Sequence, residues 1–347
     1  MRRVTGRTPG ARTRNLIALV TAGLLAGALA ACGGDEDDEG PLTVYSGREE
    51  ELIAPLFDRY QEETGNELEV RYGDTAELAA TITEEGENSP ADLFFGQDAG
   101  ALGALEQEEL LAEIPTDSLE RVDQRYRSQD DRWTGTSGRA RVVAYNSDEL
   151  DEAELPPSIL DFTDPKWKGR IGWAPTNGSF QAFVTAMRLT EGEEATEEWL
   201  RGIVENDPVV FGGNEEIRDA IASGEIDVGF INHYYVAQAI AEEGRDYPVR
   251  VYHPPAGDVG SLINVAGVGI LESSGKQDAA AELVAFLLSD PSQRYFSEET
   301  KEYPLVAGIP ADPAVTPLDE IEQPDVELGQ LEDLEGTLEL LQRSGAL

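Results

Sequence analysis

Cysteine, histidine and basic charge are scarce in this chain of 347 residues. A single cysteine, Cys32, excludes an intramolecular disulfide and any multi-thiolate metal site. Two histidines, His233 and His253, cannot form the helical zinc motif that needs two of them one turn apart. Lysine occurs only at Lys166, Lys168, Lys276 and Lys301. Against 26 basic side chains stand 69 acidic ones, a formal net charge of −43. Such a chain repels phosphate and shows no basic stripe, which excludes nucleic acid as a partner. Neither a Gly-Xaa-Ser-Xaa-Gly elbow nor a P-loop is present. What is there is a hydrophobic content of 40%, enough for real cores, and a length that suits two domains.

The basic charge that exists is unevenly placed. Arg2, Arg3, Arg7, Arg12 and Arg14 precede the apolar run Leu16–Ala31. That run is short and rich in Ala and Gly, which fits a secretory signal better than a membrane span. It ends in Leu29-Ala30-Ala31-Cys32, which looks like a bacterial lipobox. The expectation is cleavage before Cys32, lipidation of that cysteine and anchoring without a span. Residues 1–31 are then the lipoprotein signal and 32–41 an acidic tether, with Gly33–Gly40 too charged to pack.

From Leu42 the chain alternates short apolar runs with amphipathic segments. Strands are expected at 42–45, 68–72 and 92–95, with helices at 50–64 and 76–84 between them. This β-α-β-α-β order implies a parallel sheet with helices on both faces. A second α/β region follows. Its strands are expected at 141–145, 171–173, 209–211, 226–231 and 249–252, its helices at 179–189, 197–204, 215–222 and 235–243. A strand at 265–271 crosses back, followed by helices at 279–288 and 331–343. The reading is an α/β protein of two lobes, 42–139 plus 265–347 and 140–264, with a ligand cleft between them.

The most informative stretch is Asp227-Val228-Gly229-Phe230-Ile231-Asn232-His233-Tyr234-Tyr235. An apolar strand ends where a polar and aromatic cluster begins and a helix starts. The carboxyl end of a strand is where α/β proteins place ligands. Adjacent tyrosines diverge within a strand but converge where the chain turns into a helix. Phenolate is a hard oxygen donor suited to a trivalent cation. Taken alone, the pair also fits two aromatics packed at an interface. Thr176-Asn177-Gly178-Ser179 opens a helix, so it is either a plain cap or a turn whose free N–H groups receive an anion.

With Thr43-Val44-Tyr45-Ser46-Gly47, Ser89-Pro90-Ala91-Asp92-Leu93-Phe94, Gly138-Arg139-Ala140-Arg141, Pro165-Lys166-Trp167-Lys168-Gly169-Arg170, the Thr176 turn and Asn232-His233-Tyr234-Tyr235 in this order, the chain resembles the ferric-iron-binding proteins of ABC importers. These have the two-lobed type II periplasmic binding protein fold. The resemblance implies Tyr234 and Tyr235 as phenolate ligands to Fe(III). It also implies a synergistic carbonate or phosphate contacted by Thr176, Asn177, Gly178, Ser179, Asn214 and Asn232. In some relatives an arginine on the crossover steadies that anion, which points to Arg139. Many relatives place a histidine ligand where this chain has Glu49, a carboxylate that is also a hard ligand. A relative's glutamate ligand corresponds to Gln97, whose neutral amide suits the anion or a water. Tyr45 is expected in the core, His233 at most behind the ligands, and His253 on the surface.

The function implied is capture of Fe(III) without catalysis. The protein is expected to be monomeric, extracytoplasmic and lipid-anchored, and to deliver the ion to a membrane permease. Two alternatives stand beside it. One is a receptor for an organic solute such as a polyamine, thiamine or a phosphonate. The other is an extracytoplasmic hydrolase, since a carboxylate pair is easily found in so acidic a chain.

Overall fold

The computed structural model describes residues 40–347; the signal segment and Cys32 lie outside the described residues. The chain opens as a run of alternating strands and helices: β1 (Leu42–Ser46), α1 (Glu50–Thr64), β2 (Leu68–Tyr72), α2 (Thr75–Glu85), β3 (Leu93–Gly96), α3 (Ala99–Gln107) and the single turn α4 (Thr116–Leu119). The long strand β4 (Trp133–Asn146) leads to β5 (Ile171–Trp173), α5 (Gly178–Thr190), α6 (Glu193–Glu205), β6 (Val209–Val210), α7 (Asn214–Ala222), β7 (Val228–Asn232), α8 (Tyr234–Glu243) and β8 (Val249–Tyr252). The return is β9 (Ile263–Ile270), α9 (Gln277–Leu287), α10 (Asp290–Glu298), β10 (Tyr303–Pro304) and α11 (Leu334–Ser344).

Local chemistry explains the helix ends. In α1, Ile53, Leu56, Phe57 and Tyr60 form one buried face, and the helix stops at Gly65, whose φ of 77° is open to glycine at little cost. Asp74 caps α2 by accepting from the Ala76 and Glu77 N–H groups. Asn177 caps α5 through the Ser179 N–H.

The strands form one mixed sheet in the order β2-β1-β3-β9-β4-β7-β5-β6, with β8 and β10 also paired to β4. The expected parallel pairing holds among β1, β2 and β3. The strand read at 226–231 as a parallel one is parallel to β5 on one side and antiparallel to β4 on the other.

β4 carries the two-lobed architecture. Trp133–Ala140 pair with β9, and Arg141–Tyr145 pair with β7, so one continuous strand changes neighbour between Ala140 and Arg141. The sequence pattern shows only its second half. Every residue of β4 is buried, so no alternation marks it, and Gly135 and Gly138 interrupt the apolar pattern. Those glycines are required by close neighbours: a Cβ on Gly135 would come within 2.7 Å of the Tyr126 carbonyl oxygen.

α3 and α10 were not expected from the sequence. α3 is glycine-interrupted because the C-terminal chain lies against it. A Cβ at Gly100 or Gly103 would come within 2.3 or 2.1 Å of the Leu331 or Gly329 carbonyl oxygen. That chain makes a 3-10 turn at Leu328–Glu332 before α11 starts, so the helix expected from residue 331 begins at Leu334.

Candidate functional site

β7 delivers Asn232 and His233 to the sheet's edge, and α8 starts at once with Tyr234. The amino ends of α2, α3, α5 and α7 border the same cleft, a cavity of about 700 Å³. Glu49, Gln97, Arg139, Thr176, Asn177, Gly178, Ser179, Asn214, Asn232, Tyr234 and Tyr235 all line it. Every candidate metal ligand and anion contact is therefore brought to one place.

The tyrosine rings stack with centroids 4.2 Å apart. Burial pushes the Tyr234 hydroxyl well above its ordinary pKa, and the Tyr235 and Glu302 charges push it further. Burial raises Tyr235 as well, with Glu49 and Glu215 adding to it. Both phenols are protonated in the empty cleft, and only a strong cation can displace those protons. Holding one ordinary phenol as phenolate at pH 7 costs about 4 kcal/mol, since three pKa units separate 10 from 7.

Arg139 is 2% exposed, and neither of its terminal nitrogens has a hydrogen-bond partner. Burial lowers its pKa, partly offset by Tyr234 and Asp98. A buried guanidinium with open donors is costly unless an anion completes it. Asp98, which caps α3, is its nearest carboxylate by charge effect, and burial raises the Asp98 pKa. The other crossover arginine, Arg141, does not line the cleft but reaches the turn from behind, its Nη1 donating to the Ser179 hydroxyl at 3.5 Å. It donates to the Phe230 carbonyl, lies over Phe180 and Phe183, and is drawn down to about 9 by burial.

The turn before α5 is held from within. Asn177 Oδ1 accepts from the Ser179 N–H at 3.1 Å, the Ser179 hydroxyl at 2.6 Å and Asn214 Nδ2 at 3.4 Å. Asn214 Oδ1 in turn accepts from the Asn232 N–H at 3.1 Å. This relay locks α5, α7 and β7 together. At Gly178 a Cβ would meet nothing within 4 Å, so the backbone of the turn is open to an anion.

Gln97 Oε1 accepts from Arg48 Nη1 at 2.7 Å, which turns its NH₂ group into the donor left for the cleft. Arg48 itself is gripped by Glu302 at 3.0 and 2.7 Å. Sequence reasoning missed this pair: the partners are 254 positions apart, and neither has a local signature. Glu215 was missed for the same reason. Glu49 is exposed at the start of α1 and makes no capping bond. The partial loss of water on its cleft side raises its carboxyl pKa, against the pull of Arg48.

Three expectations fall outside the cleft. Tyr45 is core, its hydroxyl donating to Glu85 at 3.2 Å. His233 accepts from the Ala140 N–H at 3.0 Å and stacks on Tyr303 at 4.3 Å, pinning the start of α8 to β4. Burial pushes it down to about 3, so it is neutral. His253 corrects the surface expectation. It is largely enclosed, sits in a second cavity of about 150 Å³ with His233, and is pushed down to about 4 by burial. Its buried setting comes from the fold of β8 against β4, which no feature near Pro254 announces.

Among the described residues no group of three or more His, Cys, Asp or Glu is placed to hold a metal ion. A metal in this cleft would have to rely on the two phenols. Two α/β lobes sharing a sheet, with polar groups from both facing a cleft, define a two-lobed solute-binding protein. The chain belongs to the bacterial extracellular solute-binding protein family, which matches residues 88–329. It is 33% identical to the major ferric iron-binding protein of Neisseria meningitidis, over 88% of this chain and 92% of that one. Iron-bound HitA from Pseudomonas aeruginosa superposes with a TM-score of 0.82 at 33% identity, covering 88% of this chain and 99% of that one. A Trichodesmium protein in complex with iron and citrate superposes with a TM-score of 0.77 at 28% identity, again covering 88% and 99%.

Proposed function

We propose that this protein is an extracytoplasmic receptor that captures Fe(III) together with a synergistic anion and hands it to an ABC permease. The observation that carries this reading is the stacked Tyr234–Tyr235 pair beside the unpartnered guanidinium of Arg139. Tyr234 and Tyr235 supply two phenolates and Glu49 a carboxylate, which balances the ion's three positive charges. Carbonate or phosphate then rests on Arg139, the Gln97 amide and the turn Thr176–Ser179, within reach of Asn214 and Asn232. The excess negative charge is met by the guanidinium and by the amino end of α5. The two lobes, 42–139 with the return from 265 and 140–264 with α11 packed on α5 and α6, close over the ion, exclude water and strengthen these terms. The permease recognises the closed form.

The protein binds without turnover, acts as a monomer and is tethered through a lipid on Cys32. Among the described residues no helix is long and apolar enough to cross a membrane. A polyamine would leave Arg139 without an anion. The test is to strip the purified protein of metal and add Fe(III) with carbonate or phosphate. A visible tyrosinate-to-iron band at one ion per chain is expected, lost in both Tyr234→Phe and Tyr235→Phe. A protein that stays colourless with every anion overturns the reading.

A further inference from the structure

The reverse face of α8 bounds the second cavity, of about 150 Å³. Tyr234 and Tyr235 line the cleft, whereas His233, Val236, Ala237 and Ile240 line this cavity. The spacing of those four positions is that of one helix face. Val251 in β8 and His253 just past its end line it together, as alternate residues of an extended chain do. The remaining wall is Tyr303 with residues 314–316. Tyr303 stacks on His233 at 4.3 Å and pairs with Gly138 of β4. That wall is therefore already in contact with α8 and anchored on the shared strand, so the space is not a gap between parted lobes. The exposed Glu152 and Ala314 mark its mouth, where Glu152 accepts from the Tyr145 hydroxyl at 3.4 Å.

The imidazoles inside offer donors without acceptors. His233 is 2% exposed, and its Nδ1 accepts from the Ala140 N–H at 3.0 Å. The proton of the neutral ring is then on Nε2. That nitrogen has no hydrogen-bond partner; the Lys301 carbonyl acts on the ring from outside hydrogen-bond geometry. His253 buries both ring nitrogens, and neither has a partner. A neutral imidazole carries one N–H, so a second donor is left open. Arg250 adds positive charge to the wall. Its terminal nitrogens donate to the carbonyls of Arg245, Tyr247 and Val249, and to no carboxylate. A metal ion does not suit this set, because it would need the lone pair whose place the Nε2 proton takes. Among the described residues no group of three or more His, Cys, Asp or Glu is placed to hold one.

We propose that this cavity is a binding site for a small monocarboxylate whose apolar part is about the size of benzene or smaller, the occupant such a volume takes. The carboxylate oxygens accept from His233 and His253, with the charge of Arg250 beside them, and the tail lies against Val236, Ile240 and Val251. The site is separate from the proposed iron site, and its test needs no iron.

The chain has only two histidines, and both line this cavity, so their ring-proton resonances report on it directly. Untagged, metal-free protein is titrated with isovalerate and, as the charge-reversed control, isopentylammonium. Isovalerate is expected to shift both sets of signals saturably and to bind at least about tenfold more tightly than the ammonium, the worth of one charge-assisted hydrogen bond. His253→Leu keeps the volume but removes the donor, and is expected to weaken isovalerate at least about tenfold, read on the His233 signals. Val315→Phe fills the cavity and is expected to abolish binding. Melting temperatures check that both variants fold. No saturable shift in the wild type, a response that either variant leaves intact, or equal binding of the ammonium overturns the proposal.

Discussion

Two buried arginines exert their charge on Tyr234, and the protein treats them in opposite ways. Behind the cleft, burial works against the Arg48 charge, but Glu302 outweighs it and holds the guanidinium above its usual range. That pair is gripped at two points, and Gln97 takes a further bond. In the cleft, Arg139 is as deeply buried, yet its terminal nitrogens have no partner and its pKa is lowered. The first arrangement pairs both terminal nitrogens, leaving only Nε without a partner, and belongs to the architecture. The second lacks an acceptor, and that lack is what a binding site for an anion requires.

The comparison breaks most visibly through Glu302→Ala. Removing one member of a buried pair leaves an uncompensated charge, so a loss of about 3–5 kcal/mol in unfolding free energy is expected from urea titration. Arg139→Met has a weaker signature. It removes a buried charge that makes no hydrogen bond through its terminal nitrogens and has Asp98 only as a charge neighbour, so a clearly smaller loss than in Glu302→Ala is expected for the apo protein. Iron binding then loses its dependence on added carbonate or phosphate. If Arg139→Met destabilises as much as Glu302→Ala, the distinction between the two arginines is wrong.

Proton release is next in size. Both phenols are protonated when the cleft is empty, so iron displaces two protons. Affinity is expected to rise with pH between 6 and 8, by up to about a hundredfold per unit, after correction for the competing chelator. A flat profile would show that the tyrosines do not bind as phenolates.

His253 extends the contrast to stability. Its folded pKa of about 4 lies below the unfolded value, so the unfolded chain takes up the proton first on acidification. Its contribution is fully present above pH 6.5 and is lost as pH falls toward 4, on the order of 1–3 kcal/mol. His253→Gln is expected to flatten that part of the stability curve. The smallest effect is Asn177→Ala. Loss of the α5 cap is expected to lower stability by about 1 kcal/mol in thermal unfolding and to loosen the turn that faces the anion.

Much of the element pattern was legible because it is local. The spans of α1, β2, β5 and β8 follow from apolar spacing and from stops such as Gly65. The first half of β4 was not legible, because a strand buried on both faces has no alternation. α3 was hidden by the glycines that its packing partner demands. At the site, Tyr234 and Tyr235 were legible as adjacent hard donors at a strand's carboxyl end. Glu215, Asp98 and the Arg48–Glu302 pair were not, since their roles come from neighbours distant in the chain.

By itself the sequence determined the chemistry on offer. It carries paired phenols where a strand becomes a helix, a cap-forming turn that opens another helix, and too few thiols and imidazoles for other metal sites. These are matters of residue type and short spacing, and they survive any arrangement of the rest. Only the tertiary structure decided that the terminal nitrogens of Arg139 stay buried without an acceptor while those of Arg48 are paired. It alone turned the Gln97 amide outward and brought His233 and His253 to one cavity behind α8. Charge in a low-dielectric interior depends on which groups lie within a few ångströms, and chain folding sets those distances.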